Sequence, residues 1–173
     1  MRVLIYGAGA IGGYLGAILS RSGVDITILA RGATFDVIKS HGLVVDWAIG
    51  NEHLVVNPPV RTSDESDGLF DLIFVTLKSM QIASSAENII SKLKPQGYMV
   101  MIQNGLPWWY FEGIDSPWRG ASLSSLDPNR ILKKYINCFC SENYCFAHRT
   151  INISYGCTLS SMRTACLYRI IST

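Results

Sequence analysis

Residues 7–12 read Gly-Ala-Gly-Ala-Ile-Gly, between the apolar run Arg2-Val-Leu-Ile-Tyr6 and a helical pattern that starts at Ala10. A strand that stops at glycine and passes directly into a helix is the context in which G-x-G-x-x-G carries physical meaning. Gly7 permits the tight turn, Gly9 lets the backbone approach a pyrophosphate, and Gly12 lets the helix pack closely on the strand. Unpaired N–H groups at the helix start then face the phosphates. Gly7, Ala8, Gly9, Ala10, Ile11 and Gly12 are therefore expected to form a dinucleotide-binding loop. The plainer alternative is a tightly packed corner of small residues.

The rest of the first 105 residues alternates strand and helix signals. Ala10 to Ser22 places Ile11, Leu15, Ile18 and Leu19 on one face, and Gly23 ends it. Asp25 to Ala30 reads as a second strand, and Ala33 to His41 as a short helix closed by Gly42. Leu43 to Trp47 and His53 to Val56 suggest a hairpin turning at Gly50-Asn51. Pro58-Pro59 ends it, and Arg61 to Gly68 reads as a polar loop. Leu72 to Leu77 is a buried strand, and Ser79 to Leu93 an amphipathic helix through Ile82, Ala86, Ile89, Ile90 and Leu93. Pro95-Gln96-Gly97 reads as a turn before a strand from Tyr98 to Ile102. This order implies an α/β fold, a Rossmann-type doubly wound parallel sheet with an accessory hairpin.

In such sheets ligands bind outside the carboxyl ends of the strands. Four features fall at those ends: the glycine loop, Arg31, Lys78 and Asn104. NAD-binding folds place Asp or Glu after the second strand to hold the ribose 2′-hydroxyl. This chain places Arg31 there, 19 residues after Gly12, and Asp25 sits at the wrong end of the strand. A guanidinium suits a 2′-phosphate, which favours NADP over NAD and disfavours FAD. Taken singly, Arg31 also reads as a solvated surface residue, Lys78 as a solvated lysine and Asn104-Gly105 as a generic turn.

Several classes are excluded. Fifteen Lys and Arg against thirteen Asp and Glu leave a net charge of +2, too small for a dedicated nucleic-acid surface. Val3 to Ser20 carries no charge, yet its five glycines suit neither a signal peptide nor a membrane span. All five cysteines fall in residues 138–173, an odd count that does not read as a secreted disulfide framework. We expect a reducing, cytoplasmic setting. Cys138-x-Cys140, Cys145 and His148 imitate a metal cluster but lack a matched pair of C-x₂₋₄-C spacings, so no metal is expected. His41 and His53 have no nucleophile or carboxylate at a telling spacing. Trp108-Trp109-Tyr110-Phe111 reads as core or interface packing, since no basic residues interleave it.

The chain divides at about residue 137. Residues 1–137 form the expected dinucleotide-binding domain. Residues 138–173 carry only four charged side chains and sustain neither a strand nor a helix period. They are expected to be an atypical cysteine-rich tail, of the kind a frameshifted or truncated product carries, lacking the sheet's last strands.

Gly7-Ala-Gly-Ala-Ile-Gly-Gly-Tyr-Leu-Gly16, Ala30-Arg31-Gly32, Val75-Thr-Leu-Lys78, Gln103-Asn-Gly-Leu-Pro-Trp-Trp-Tyr110 and Leu123-Ser-Ser-Leu-Asp-Pro128 together resemble the ketopantoate reductase (2-dehydropantoate 2-reductase) family. The resemblance covers about residues 1–137. It implies NADPH-dependent reduction of a 2-keto acid, ketopantoate, to pantoate in pantothenate synthesis. It implies that the glycine loop and Arg31 hold NADP. Lys78 and Asn104 would then lie along the cofactor, with Asn104 also near the substrate. Family members carry a helical C-terminal domain that supplies the general-acid lysine and substrate-gripping residues, and this chain is expected to lack it. A non-catalytic NADP-binding module or defective fragment is the second reading, and another Rossmann hydroxyacid dehydrogenase the third.

Overall fold

Strand β1 (Arg2–Tyr6) buries both of its faces: Val3 and Ile5 join one apolar cluster, Leu4 and Tyr6 another. That two-sided burial requires helices above and below the sheet. The computed structural model describes residues 1–46, 53–65, 68–104, 108–112 and 116–135, with strands at 139–141, 144–146 and 163–169. β1 passes into α1 (Ala10–Arg21), β2 (Asp25–Leu29) and α2 (Ala33–His41). The hairpin of β3 (Leu43–Asp46) and β4 (His53–Val56) follows, then β5 (Val60–Arg61), β6 (Phe70–Val75), α3 (Ser79–Ser91) and β7 (Leu93–Asn104). A short helix α4 (Ile131–Tyr135) comes later, then β8 (Phe139–Ser141), β9 (Tyr144–Phe146) and β10 (Arg163–Arg169).

The sheet order is β10-β7-β6-β1-β2-β5. The five strands from β7 to β5 are parallel, and β10 adds antiparallel to β7. One face packs on α1, α2 and the hairpin through Ala17, Ile38 and Leu43. The other packs on α3 through Ile82, Ala86 and Ile89, with Trp108, Trp109 and Leu132 completing it. Helices on opposite faces make the sheet doubly wound, as expected. β1 lies between β2 and β6, so the chain reverses its direction of winding beside β1. That switch point opens a crevice at the carboxyl edge.

Four local expectations are corrected. The loop expected from Arg61 begins with strand β5, paired to β2 through Ile28 N–H to the Pro59 carbonyl at 2.8 Å and Ala30 N–H to the Arg61 carbonyl at 3.0 Å. Two residues after a Pro-Pro pair are too few to display a period. The Pro95-Gln96-Gly97 turn is an excursion within β7: Phe70 pairs with Leu93 and Leu72 next with Tyr98, so the ladder skips residues 94–97. Pro95 has no N–H to offer such a ladder. β6 begins at Phe70 and ends at Val75, two residues earlier at each end than expected. Finally, the region beyond residue 137 does contain strands, including β10 on the sheet edge. Strand addition uses backbone groups, which a side-chain period does not report. The hairpin's expected turn at Gly50-Asn51 lies outside the described residues.

Candidate functional site

The glycine loop joins β1 to α1 at the switch point. Gly7 adopts φ +112°, a conformation that L side chains rarely adopt. Its N–H reaches back to the Leu29 carbonyl at 3.1 Å, tying the loop to β2. Gly12 is required by contact: a Cβ there would run into the Gly7 carbonyl and lie 2.5 Å from Thr76 Oγ1. Gly9 differs from both. Its φ of −72° is ordinary, and a Cβ there would meet nothing within 4 Å. Neither strain nor internal packing therefore demands glycine at position 9, and the space before it stays open for a ligand.

Gly9 is also the N-cap of α1, and it brings no side chain to satisfy the first-turn N–H groups. No acidic residue occupies that first turn. A helix start left uncapped and free of carboxylates suits an anion. The loop's shape, its open space and its donors together fit a dinucleotide pyrophosphate.

The other expected site residues sit on the same edge. Arg31 follows β2, is exposed, and makes no hydrogen bond or ion pair among the described residues. Lys78 is the N-cap of α3, just beyond β6, and its side chain is exposed. The Gln81 side chain accepts the Lys78 N–H at 3.2 Å and so closes the α3 start. Asn104 is the last residue of β7. Parallel β1, β2, β6 and β7 deliver all four features to one edge of the sheet.

Three residues that sequence reasoning passed over shape this edge. Thr76 hydrogen-bonds through its hydroxyl to the Gly7 carbonyl at 2.6 Å, and its N–H donates to the Tyr6 carbonyl at 3.1 Å. Tyr6 donates from its hydroxyl to Asn88 Oδ1 at 2.8 Å, and Asn88 Nδ2 donates to the Ser63 carbonyl at 3.1 Å. This chain of bonds ties β1, α3 and the segment after β5 together. Burial pushes the Tyr6 hydroxyl above its ordinary pKa, against the opposing pull of a Ser85 hydrogen bond and the Arg31 charge. Asn88 reads from sequence only as a polar position on a helix, and nothing in the sequence marks its strand partner.

The aromatic run packs as expected at its start. Trp108 and Trp109 are both buried, with ring centroids 5.5 Å apart edge to face. Asp127 is buried and accepts N–H bonds from Leu132 at 2.7 Å and Lys133 at 3.2 Å, capping α4. Among the described residues no cluster of three His, Cys, Asp or Glu side chains could hold a metal ion. Cys138 and His148 lie outside those residues.

A doubly wound parallel sheet with a glycine loop at its switch point defines the Rossmann class of α/β domain. Comparison narrows the class. The chain belongs to the family described as ketopantoate reductase PanE/ApbA, which matches residues 3–107. It is 38% identical over 133 residues to the 2-dehydropantoate 2-reductase of Mesorhizobium japonicum, covering 74% of this chain and 39% of that protein. A crystallised protein of Ralstonia solanacearum MolK2 assigned as a ketopantoate reductase superposes with a TM-score of 0.67 at 33% identity, over 76% of this chain and 40% of the other. A D-mandelate dehydrogenase solved with NADH and anilino(oxo)acetate superposes with a TM-score of 0.56 at 28% identity, over 61% of this chain and 34% of the other. The chain thus spans about two fifths of these proteins' length.

Proposed function

We propose that this chain binds NADP(H) at the carboxyl edge of its sheet, as the nucleotide-binding part of an NADPH-dependent 2-keto acid reductase with ketopantoate as substrate. The observation that carries the reading is Gly9. It is a glycine that the protein's own packing does not require, at an uncapped helix start facing open space. In this reading Gly7, Ala8, Gly9, Ala10, Ile11 and Gly12 cradle the pyrophosphate with backbone N–H groups. Arg31 pairs with the 2′-phosphate through charge-assisted hydrogen bonds. Bound NADPH supplies the hydride that a 2-keto acid accepts.

Lys78 and Asn104 are the residues we assign to the reacting end. The Lys78 ammonium carries a positive charge at that edge, where it attracts a carboxylate or a developing alkoxide. Asn104 offers an amide that both donates and accepts, as positioning a keto acid requires. A cytoplasmic location goes with this reading. Among the described residues no helix is long and apolar enough to cross a membrane. The test is a calorimetric titration of the chain with NADPH and with NADH. Tighter binding of NADPH supports the reading, and equal affinities, or none, overturn it.

A further inference from the structure

We infer that Thr76 is a positioning residue for the dinucleotide, acting through the carbonyl of Gly7; the inference rests on the nucleotide reading above. At the turn between β1 and α1 the backbone carbonyl of Gly7 is itself a hazard. A carbonyl oxygen turned toward a pyrophosphate would repel it, while the N–H groups that attract the anion depend on the same peptide planes. The structure shows what holds that carbonyl. The Thr76 hydroxyl lies 2.6 Å from the Gly7 oxygen and 3.2 Å from the Tyr6 oxygen. The shorter contact takes the single hydroxyl proton. On its far side the same carbonyl abuts Gly12, where any Cβ would collide with it and with Thr76 Oγ1. The carbonyl is thus clamped between the end of β6 and the first turn of α1. Gly7 holds φ +112° at this point, and the hydroxyl is the clamp's only side-chain donor among the described residues. Thr76 also sits two residues before Lys78, so one segment sets both the loop and the lysine's position.

The experiment titrates wild type, Thr76→Val and Thr76→Ser with NADPH and with adenosine 2′-monophosphate, which carries the phosphate facing Arg31 but no pyrophosphate. Valine keeps the shape and removes the donor, and serine keeps the donor. Thr76→Val is expected to weaken NADPH about tenfold, as the loss of one hydrogen bond implies. Thr76→Ser should stay within about twofold of wild type, and adenosine 2′-monophosphate should bind all three alike. Wild-type affinity for NADPH in Thr76→Val overturns the inference, as does equal weakening of both ligands. Should Thr76→Val fail to fold, Thr76→Ser is compared with Thr76→Ala. Retained NADPH affinity in serine alone supports the inference, and equal affinities overturn it. A wild type that binds no NADPH overturns the nucleotide reading first and this inference with it.

Discussion

At the scale of single residues, the three motif glycines have different work, and substitution separates them. Gly12 is closed off by the Gly7 carbonyl, so Gly12→Ala should destabilise the chain by about 1–3 kcal/mol, the usual range for overpacking. Denaturant unfolding measures it. Gly9 faces open space, so Gly9→Val should fold with a midpoint near wild type yet lose NADPH binding. A folded Gly9→Val protein that still binds would make the loop a packing corner and nothing more. Arg31 belongs to the same scale. A charge-assisted contact is worth about 1.5–3 kcal/mol, and exposure places Arg31 at the lower end. Arg31→Ala should therefore cut the preference for NADPH over NADH by about tenfold at low salt, and added salt should erode that preference in wild type. A preference unmoved by the substitution would assign the 2′-phosphate to another group.

At the scale of elements, the amino edge of the sheet is held by one carboxylate. Asp71 in β6 accepts the Arg2 N–H of β1 at 2.7 Å and the Lys94 ammonium of β7 at 2.8 Å. The Lys94 hydrogen bond first, and the Arg2 N–H second, hold its pKa below the ordinary carboxylate value. A pKa lowered in the folded state stabilises the fold above the unfolded value, about 3.9, and loses that contribution as pH falls through the folded value. Asp71→Asn should accordingly be less stable than wild type at neutral pH, and the gap should close below pH ~4. A gap that is the same at both pH values would mean that Asp71 acts by shape alone. The opposite face of the argument is apolar. Ile89 on α3 is 1% exposed and packs on the sheet, so Ile89→Ala should cost about 2–5 kcal/mol.

For the whole molecule, ligand and fold are linked. If the crevice binds NADPH in the folded state alone, saturating NADPH at about 100 times its dissociation constant adds about 2.7 kcal/mol. For a chain of this size that raises Tm by roughly 5–10 °C, and NADH at the same concentration should raise it less. Catalysis is a second whole-molecule property. The described residues place Lys78 at the carboxyl edge, but they surround the substrate position with no enclosing wall. A missing or badly placed general acid costs about 10²–10⁴-fold in rate. The 173-residue chain is therefore expected to oxidise NADPH with ketopantoate at least about a hundredfold more slowly than the Mesorhizobium japonicum relative. A rate comparable to that relative's, abolished by Lys78→Ala, would instead make Lys78 a sufficient acid.

Much of this was legible in the residues alone because local signals agreed with the fold. The expected helix from Ala33 to His41 is α2, and the expected helix start at Ala10 and strand start at Asp25 hold. Glycine, apolar runs and a 3.6-residue period report backbone conformation within a few positions, and so they locate strand ends and the features that follow them. The family motifs, the arginine after β2 and the lysine after β6 came from that local reading. Other features depended on contacts between residues far apart in sequence. β5 is a strand because β2 has a free edge, not because Val60-Arg61 has a pattern. Thr76 reaches Gly7 across 69 positions, and Tyr6 reaches Asn88 across 82. The sequence determined which segments form the strands and what stands at their ends. The tertiary structure decided which ends meet, which carbonyl a hydroxyl restrains, and which glycine faces open space, because those depend on atoms brought together only when the sheet assembles.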